Sequence, residues 1–449
     1  MNRQYDLVVI GAGTAAMTAA TRVRSAGWTV AVADFRPFGG TCALRGCDPK
    51  KLLISGTSAI DQVTRMQHNG VAGGVSIDWS ELMAFKRTFT DPVPERQEAS
   101  YRAKGIDTFH GKATFTGRNT LEVAGEVIEA KHVLLASGAE PVRLNISGEE
   151  HLVTNEGFLS LEPLPERIVL VGGGYIAAEF SQIAALAGST VTILQHGNRM
   201  LKNFDADLVG WLMEKFQTLR IDVQTGTSVK SIEKTASGYR VRASKSDGAE
   251  TRIDADLVVH AAGRAPNLDG LHLEAAGIDV LHGRLELNEF LQSVSNPAIY
   301  AAGDSAQMGP PLTPVSSHDA KVVAANLLAG NHVRPDYRGV PSVAFTVPPI
   351  AAVGLSEDEA RAQGRKFRMK SQKASGWFTA RQAAEPVYGF KVLVEEDTDL
   401  VLGAHLVGPH VEEVINLFAL AIRHGLTAAQ LKATMFAYPT GASDIGYML

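Results

Sequence analysis

Only two cysteines occur in this 449-residue chain, and both fall in one short stretch, GGTCALRGCDPKK, Gly39–Lys51. Three chemistries compete for Cys42 and Cys47: ordinary buried thiols, half of a metal site, or a redox pair. A metal site needs further Cys or His donors, and none are supplied. There is no C-x-x-C spacing, and His68 and His110 stand alone in the sequence, so no bound metal is expected. In a regular helix the Cα atoms of residues i and i+5 lie roughly 8.7 Å apart, beyond the span of a disulfide. If the two sulfurs bridge, the backbone around Gly46 must leave helical geometry, and Gly46 and Pro49 supply the means. The reactive form is the thiolate, which a helix N-terminus or a nearby cation stabilises. Arg45, Lys50 and Lys51 are within reach by sequence.

The elements that must position this stretch are legible because one layout occurs twice. YDLVVIGAGTAAMTAATRVRSAGWTVAVAD (Tyr5–Asp34) and RIVLVGGGYIAAEFSQIAALAGSTVTILQ (Arg167–Gln195) share it. Each starts with an apolar, β-branched run, as for a buried parallel strand. Glycines at i and i+2 and an alanine at i+5 follow: Gly11, Gly13, Ala16, then Gly172, Gly174, Ala177. A helical stretch, a glycine turn (Gly27, Gly188) and a second strand complete a βαβ unit. The first glycine permits the tight turn, the second lets a pyrophosphate approach the backbone, and the small third residue lets helix pack on strand. The helix N-terminus receives the phosphates.

The copies differ at the ribose end. Twenty-three residues after Gly11 stands Asp34, a carboxylate suited to a ribose hydroxyl pair; the same offset from Gly172 reaches Gln195. His196, Arg199 and Lys202 follow, and a basic cluster there suits a 2′-phosphate. Two dinucleotide sites are therefore expected, the second preferring NADP(H) over NAD(H).

Composition excludes other classes. With 43 basic and 48 acidic residues the net charge is −5, which gives no reason to expect nucleic acid or an anionic membrane as partner. LVVIGAGTAAMTAA is too short to span a bilayer, so a soluble, cytoplasmic protein is expected. There a permanent disulfide is disfavoured and a transient catalytic one is plausible. The charged stretch Thr88–Arg102 reads as a solvated helix. GFKVLVEEDTDLVLGAHLVGPH reads as an antiparallel meander alternating between buried and exposed positions.

With these residues in view, the chain resembles the pyridine nucleotide–disulfide oxidoreductases, a family that includes glutathione reductase, dihydrolipoamide dehydrogenase and mercuric reductase. GGTCALRGCDPKK resembles that family's redox-active disulfide. LLASGAEP (Leu134–Pro141), AAGRAPN (Ala261–Asn267), IYAAGDSA (Ile299–Ala306), LTPVSSHDAK from Leu312, and PSVAFTVPPIAAVGLSEDEA (Pro341–Ala360) resemble its further motifs. The resemblance implies an α/β fold with two Rossmann-like domains, for FAD and NAD(P), and a C-terminal α+β dimerisation domain. The boundaries it implies are 1–146 for the FAD domain, 147–266 for the NAD(P) domain, 267–335 for a return segment of the FAD domain, and 336–449 for the interface domain.

The resemblance also assigns residues. FAD would be held by Gly11, Gly13, Thr14 and Ala15, by Asp34, and by Gly40, Thr41 and Lys51 beside the cysteines. Ser137 and Gly138, Gly263 and Arg264, and Gly303 and Asp304 would add to the cofactor sites, Asp304 taking the ribityl chain. Leu312, Thr313 and Pro314 would lie by the flavin. The pyridine nucleotide would be held by Gly172, Gly174, Tyr175 and Ile176, with Gln195, His196, Arg199 and Lys202, and Tyr175 would be a lid over the flavin. Electrons would pass from NAD(P)H through flavin to a Cys42–Cys47 disulfide. Cys47 would lie against the flavin, and Cys42 would attack a small-molecule or small-protein acceptor. Glu179 would pair with Lys50 or Lys51.

The C-terminus departs from the family. FAYPTGASDIGYML has Tyr438 where the family has the histidine that a partner subunit contributes, and Ser443 where it has the orienting glutamate. Free phenols titrate about three pH units above imidazole, which makes Tyr438 a poor proton shuttle. Two glutathione-contacting arginines are replaced by Thr21, with Arg22 adjacent, and by Lys321. Three readings stay open: a glutathione reductase-like disulfide reductase with an altered acid, a flavin reductase of a metal ion such as Hg(II) or of a quinone, and a nucleotide-sensing dimer without catalysis.

Overall fold

A computed structural model describes residues 3–449, which divide into two compact units. The first comprises residues up to Lys50, Phe85–Val142 and Arg264–Tyr337; the second comprises Lys51–Ala84, Arg143–Gly263 and Arg338–Leu449.

The first unit is built on a seven-stranded sheet. Its path is β3 (Asp107–His110), β2 (Val30–Asp34), β1 (Arg3–Ile10), β6 (Glu126–Leu135), β5 (Thr120–Val123) and β4 (Ala113–Gly117), and Ile299–Ala301 pairs in parallel with β6. β1 is parallel to both β2 and β6, and Leu7–Ile10 is buried on both faces, as an apolar run of that length requires. Helix α1 (Thr14–Ser25) follows, and its inner face is almost all alanine (Ala15, Ala16, Ala19, Ala20) with Val23. Those small residues pack with Ala320, Val323 and Leu327 of the helix Thr313–Ala329. The helix Val93–Ala103 is less solvated than its charges imply. Tyr101 is fully buried with its ring 6.0 Å from that of Phe38, and Gln97 Nε2 donates to the carbonyl of Ala12 at 2.7 Å.

The second unit repeats the motif: Arg167–Val171, Tyr175–Leu186 and Thr190–Leu194 form strand, helix and parallel strand. Gly27 and Gly188 turn both copies at φ +94° and +105°. A five-stranded antiparallel sheet forms its C-terminal part, in the order Ser342–Ala344, Ile350–Gly354, Val401–Val407, Gly389–Glu395, Phe367–Lys373. Here the expected alternation fails: Gly389–Val394 is buried at every position. The helices Val411–His424 and Ala206–Thr218 both pack against this sheet and cover the two faces of its central strands, while the edge strand Phe367–Lys373 stays exposed.

Helix α3, whose N-terminal end carries Cys47, runs over Cys47–Met66. In the second unit its buried Asp61 meets Lys215 Nζ at 2.5 Å, with the two side chains 4% and 3% exposed. Arg65 Nε joins Asp61 (2.7 Å) to Glu385 (3.2 Å). Removing one member of such a cluster leaves a buried charge uncompensated. Asp61→Ala is therefore expected to cost about 3–5 kcal/mol in urea unfolding. Asp61→Ala combined with Lys215→Met is expected to recover part of that loss.

Candidate active site

In the first unit two loops touch backbone to backbone. Gly11 turns the chain after β1 at φ +105°, and a Cβ there would lie 2.2 Å from the carbonyl oxygen of Ala136. Gly13, the residue before α1, meets Gly40, the first residue of helix α2 (Gly40–Arg45); a Cβ on Gly40 would lie 2.4 Å from Gly13 Cα. Asp34 fixes the loop by accepting from the N–H groups of Ala12 (2.8 Å) and Arg36 (2.9 Å). Helix α1 starts with no side-chain cap and no acid in its first turn, at Thr14 and Ala15. Its N–H groups are thus left for an anion. Nearby in sequence to the β6 end, Ser137 Oγ is buried without a hydrogen-bond partner.

Asp304 lies in the short helical turn Gly303–Ser305. Burial pushes its carboxyl up, and Arg264 opposes the shift. The Arg264 guanidinium also donates to the carbonyl of Ala139, and Asn267 N–H donates to that of Gly138 at 2.9 Å. The turn is held by a residue the sequence reading missed. Asp319, fully buried, accepts from Gly303 N–H (3.1 Å) and from the Tyr337 hydroxyl (2.8 Å). A buried acid in the helix after LTPV was the available signal. The glycine cradle, the uncapped helix and the orphaned Ser137 hydroxyl fit a bound FAD pyrophosphate and ribityl chain.

The cysteines sit where two helices break. Helix α2 ends at Gly46, whose φ −147° and ψ −108° are not helical, and α3 begins at Cys47. The irregular turn that a bridge requires is thus present. Both cysteines are thiols in this structure, Cys42 half-buried and Cys47 exposed. Thr313 Oγ1 donates to Cys42 Sγ at 3.1 Å and lies 3.5 Å from Cys47 Sγ. Its place against both sulfurs was not foreseen; Leu312 and Pro314 flank it at the start of its helix. The Cys47 thiol is lowered to about 6, first by the hydrogen bond from Cys42, against burial, with help from Thr313 and Lys50. Cys42 is pushed up, first by that hydrogen bond to Cys47 and then by burial. The pair therefore favours the thiolate on Cys47 over Cys42.

The second unit carries the other predicted set. Gly172, at φ +116°, would place a Cβ 2.2 Å from Ala261 O, matching Gly11. The helix begun by Gly174 is also uncapped and acid-free, with Tyr175 and Ile176 half-buried in its first turn. Tyr175 packs edge-on against Phe204 at 5.5 Å, and burial pushes its phenol up. Glu179, 3% exposed, accepts from Phe345 N–H at 2.8 Å, and Lys51 Nζ lies 4.1 Å above the Phe345 ring. The basic loop is partly consumed by its own backbone. Arg199 donates to the carbonyls of Phe204 and Lys202, both at 2.7 Å, and Gln195 Nε2 donates to Arg199 O at 3.3 Å. His196 and Lys202 are exposed. Gly263 turns at φ +114°.

At the C-terminus Tyr438 is 81% exposed. Ser443 is occupied as a local cap, its hydroxyl donating to Thr440 O at 2.6 Å while Thr440 N–H donates to it. Asp444 accepts from the buried Tyr388 hydroxyl at 2.7 Å. Neither position is arranged to orient Tyr438.

Two dinucleotide-binding βαβ units and a dithiol set between helices define a pyridine-nucleotide oxidoreductase working through thiols. The chain belongs to the pyridine nucleotide-disulphide oxidoreductase family, whose model matches residues 5–320, and that family's dimerisation domain matches residues 340–448. The family is FAD-dependent, and the chain is an oxidoreductase of the flavoprotein disulfide reductase type. It is 31% identical to glutathione reductase from Nostoc sp., over 99% of both chains. It is 32% identical to mercuric reductase from Staphylococcus aureus, over 98% of this chain and 81% of that one. The structure matches the HOCl-induced flavoprotein disulfide reductase RclA from Escherichia coli with TM-score 0.88, 26% identity and 99% of both chains covered. RclA has also been solved as a Cu(II) complex.

Thr313→Val removes the hydroxyl shared by the sulfurs. A hydrogen bond to a charged group contributes about 1.5–3 kcal/mol, so the Cys47 thiolate is expected to titrate about one pH unit higher or more. The pH dependence of thiol alkylation in the reduced protein measures this.

Proposed function

We propose that this chain is a homodimeric, NADPH-preferring FAD enzyme that reduces a small disulfide-type acceptor through Cys42 and Cys47. The observation that carries the reading is the pair of sulfurs at the helix break, both against Thr313 Oγ1 (3.1 Å from Cys42, 3.5 Å from Cys47), with the thiolate favoured on Cys47 over Cys42. Bound flavin supplies the relay between a hydride donor and a thiol pair. The protein's own steps are thiol–disulfide exchange. Cys42, once deprotonated, attacks the acceptor disulfide, forming a Cys42–acceptor bond and releasing one thiolate, which takes up a proton. Cys47 then attacks Cys42 sulfur, closing the Cys42–Cys47 bond and releasing the second acceptor thiolate, which is protonated in turn. The site residues carry the roles given by resemblance, with Lys50 or Lys51 paired to Glu179.

His196 and Lys202 support the NADP(H) preference, since Arg199 is engaged by its own loop. The matched dimerisation domain and the 81% exposure of Tyr438 support a dimer with shared active sites. The four-segment division at 146, 266 and 335 is retained as our domain scheme. We retain a cytoplasmic location as part of this proposal; no described helix is long and apolar enough to cross a membrane.

A metal-ion acceptor is the second reading. It is favoured by the absence of an oriented acid at Tyr438 and by the Cu(II) complex of RclA. Anaerobic NADPH should bleach the flavin, with NADPH giving the higher kcat/KM; equal or better efficiency with NADH would sink the NADP(H) assignment. A screen of glutathione disulfide, small disulfides, quinones, Hg(II) and Cu(II) decides the acceptor. If a disulfide is the acceptor, Cys42→Ser should abolish turnover while NADPH still bleaches the flavin. Tyr438→Phe tests the phenol. A correctly placed acid is worth about 10²–10⁴ in rate, so a loss of that order identifies Tyr438 as the acid, and unchanged kcat/KM removes it from the chemistry.

A further inference from the structure

The redox loop carries an acid that nothing else in the site uses. Asp48 directly follows Cys47, and consecutive Cα atoms lie about 3.8 Å apart. It sits in the first turn of α3 and is exposed. Other acids near the cofactor loops are taken. Asp34 accepts from two N–H groups, and Asp319 from an N–H and a hydroxyl. The cations of the redox loop, Arg45 and Lys50, are engaged as well. Asp48 has no hydrogen bond or ion pair among the described residues. Its charge nevertheless acts on both sulfurs, opposing the thiolate on Cys47 and on Cys42.

We infer that Asp48 sets the charge preference of the acceptor site, favouring cationic over anionic acceptors at Cys42. The inference rests on the reading of Cys42 as the attacking sulfur and deepens it by naming the substrate class. An acceptor must bring its own sulfur into bonding contact with Cys42. Thr313 Oγ1 lies 3.1 Å from Cys42 Sγ and 3.5 Å from Cys47 Sγ, and Asp48 follows Cys47 directly in the chain, so an acceptor bonded to Cys42 carries its charge into the field of the carboxylate. At an effective dielectric between that of a protein surface and water, one unit charge there changes the rate by about 3- to 10-fold. A disulfide bearing ammonium groups gains that factor. One bearing carboxylates, such as glutathione disulfide, loses it. The plain alternative for Asp48 is a charge that merely favours the N-terminus of α3.

The decisive measurement needs no turnover. Holoprotein reduced anaerobically by NADPH is mixed with a cationic trimethylammonioethyl or an anionic sulfonatoethyl methanethiosulfonate. In a Cys47→Ser background, where only Cys42 can react, the Cys42 sulfur takes the reagent's thioalkyl group and methanesulfinate leaves, so the second-order rates report the charge at that thiol. Each rate is normalised to that of a free small thiol. The cation-to-anion ratio is expected to fall about 3- to 10-fold in Asp48→Asn, to invert in Asp48→Lys, and to hold in Asp48→Glu. Salt should shrink the wild-type ratio. A ratio in Asp48→Asn within twofold of wild type overturns the inference and leaves the helix-end role. In a parallel arm, kcat/KM for cystamine against glutathione disulfide should follow the same order. If no disulfide turns over but the thiosulfonate ratio moves, the disulfide reading fails and the role of Asp48 stands.

Discussion

Two glycines with no room between them set the spacing on which the site depends. Gly13 ends the cofactor-binding turn and Gly40 starts the helix that carries Cys42, and a single Cβ on Gly40 would lie 2.4 Å from Gly13 Cα. Backbone against backbone is the closest approach two chain segments can make, and at φ +70° Gly40 also adopts a conformation other residues resist. The redox loop is therefore locked to the glycine turn that we propose receives the cofactor's phosphates. Around this contact, Asp34 and Gln97 hold the Ala12 peptide from both sides, through its N–H and its carbonyl.

The electrostatics of the sulfurs follow from the same placement. The break at Gly46 puts Cys47 at a helix start, where a thiolate is favoured, and leaves Cys42 half-buried as its donor. Thr313 can donate to only one sulfur at a time, so its hydroxyl can follow the charge as the pair changes state. At the C-terminus the chain has spent its polar groups differently. Ser443 caps a short turn and Asp444 secures Tyr388, so the segment is built for order within its own unit.

The two βαβ units could be read from sequence because each requirement is local: a positive φ at Gly11 and Gly172, a small residue at Ala16 and Ala177. The cysteine loop was readable for the same reason. What escaped depends on packing between distant segments. The Thr313 hydroxyl reaches Cys42 from 271 residues away. Asp319 supports Gly303, and Tyr101 is buried in a helix whose composition looks solvated. The meander lost its alternation because helices cover both faces. Arg199, read as a phosphate ligand, spends its guanidinium on the carbonyls of Phe204 and Lys202, a use of arginine that spacing alone does not reveal.

The first unit's sheet has a consequence in time. Ser305 donates to the carbonyl of Leu135 across 170 residues, beside the strand Ile299–Ala301 that pairs with β6. At synthesis rates of 5–20 residues per second, about 10–30 s separate the two halves as they leave the ribosome. For that interval the end of β6 has no partner on that side, and the alanine face of α1 lacks Ala320 and Val323 to cover it. The cysteines have emerged by then, but Thr313 has not. The nascent chain thus carries two thiols until the return segment arrives, because the first compact unit draws on segments far apart in the chain.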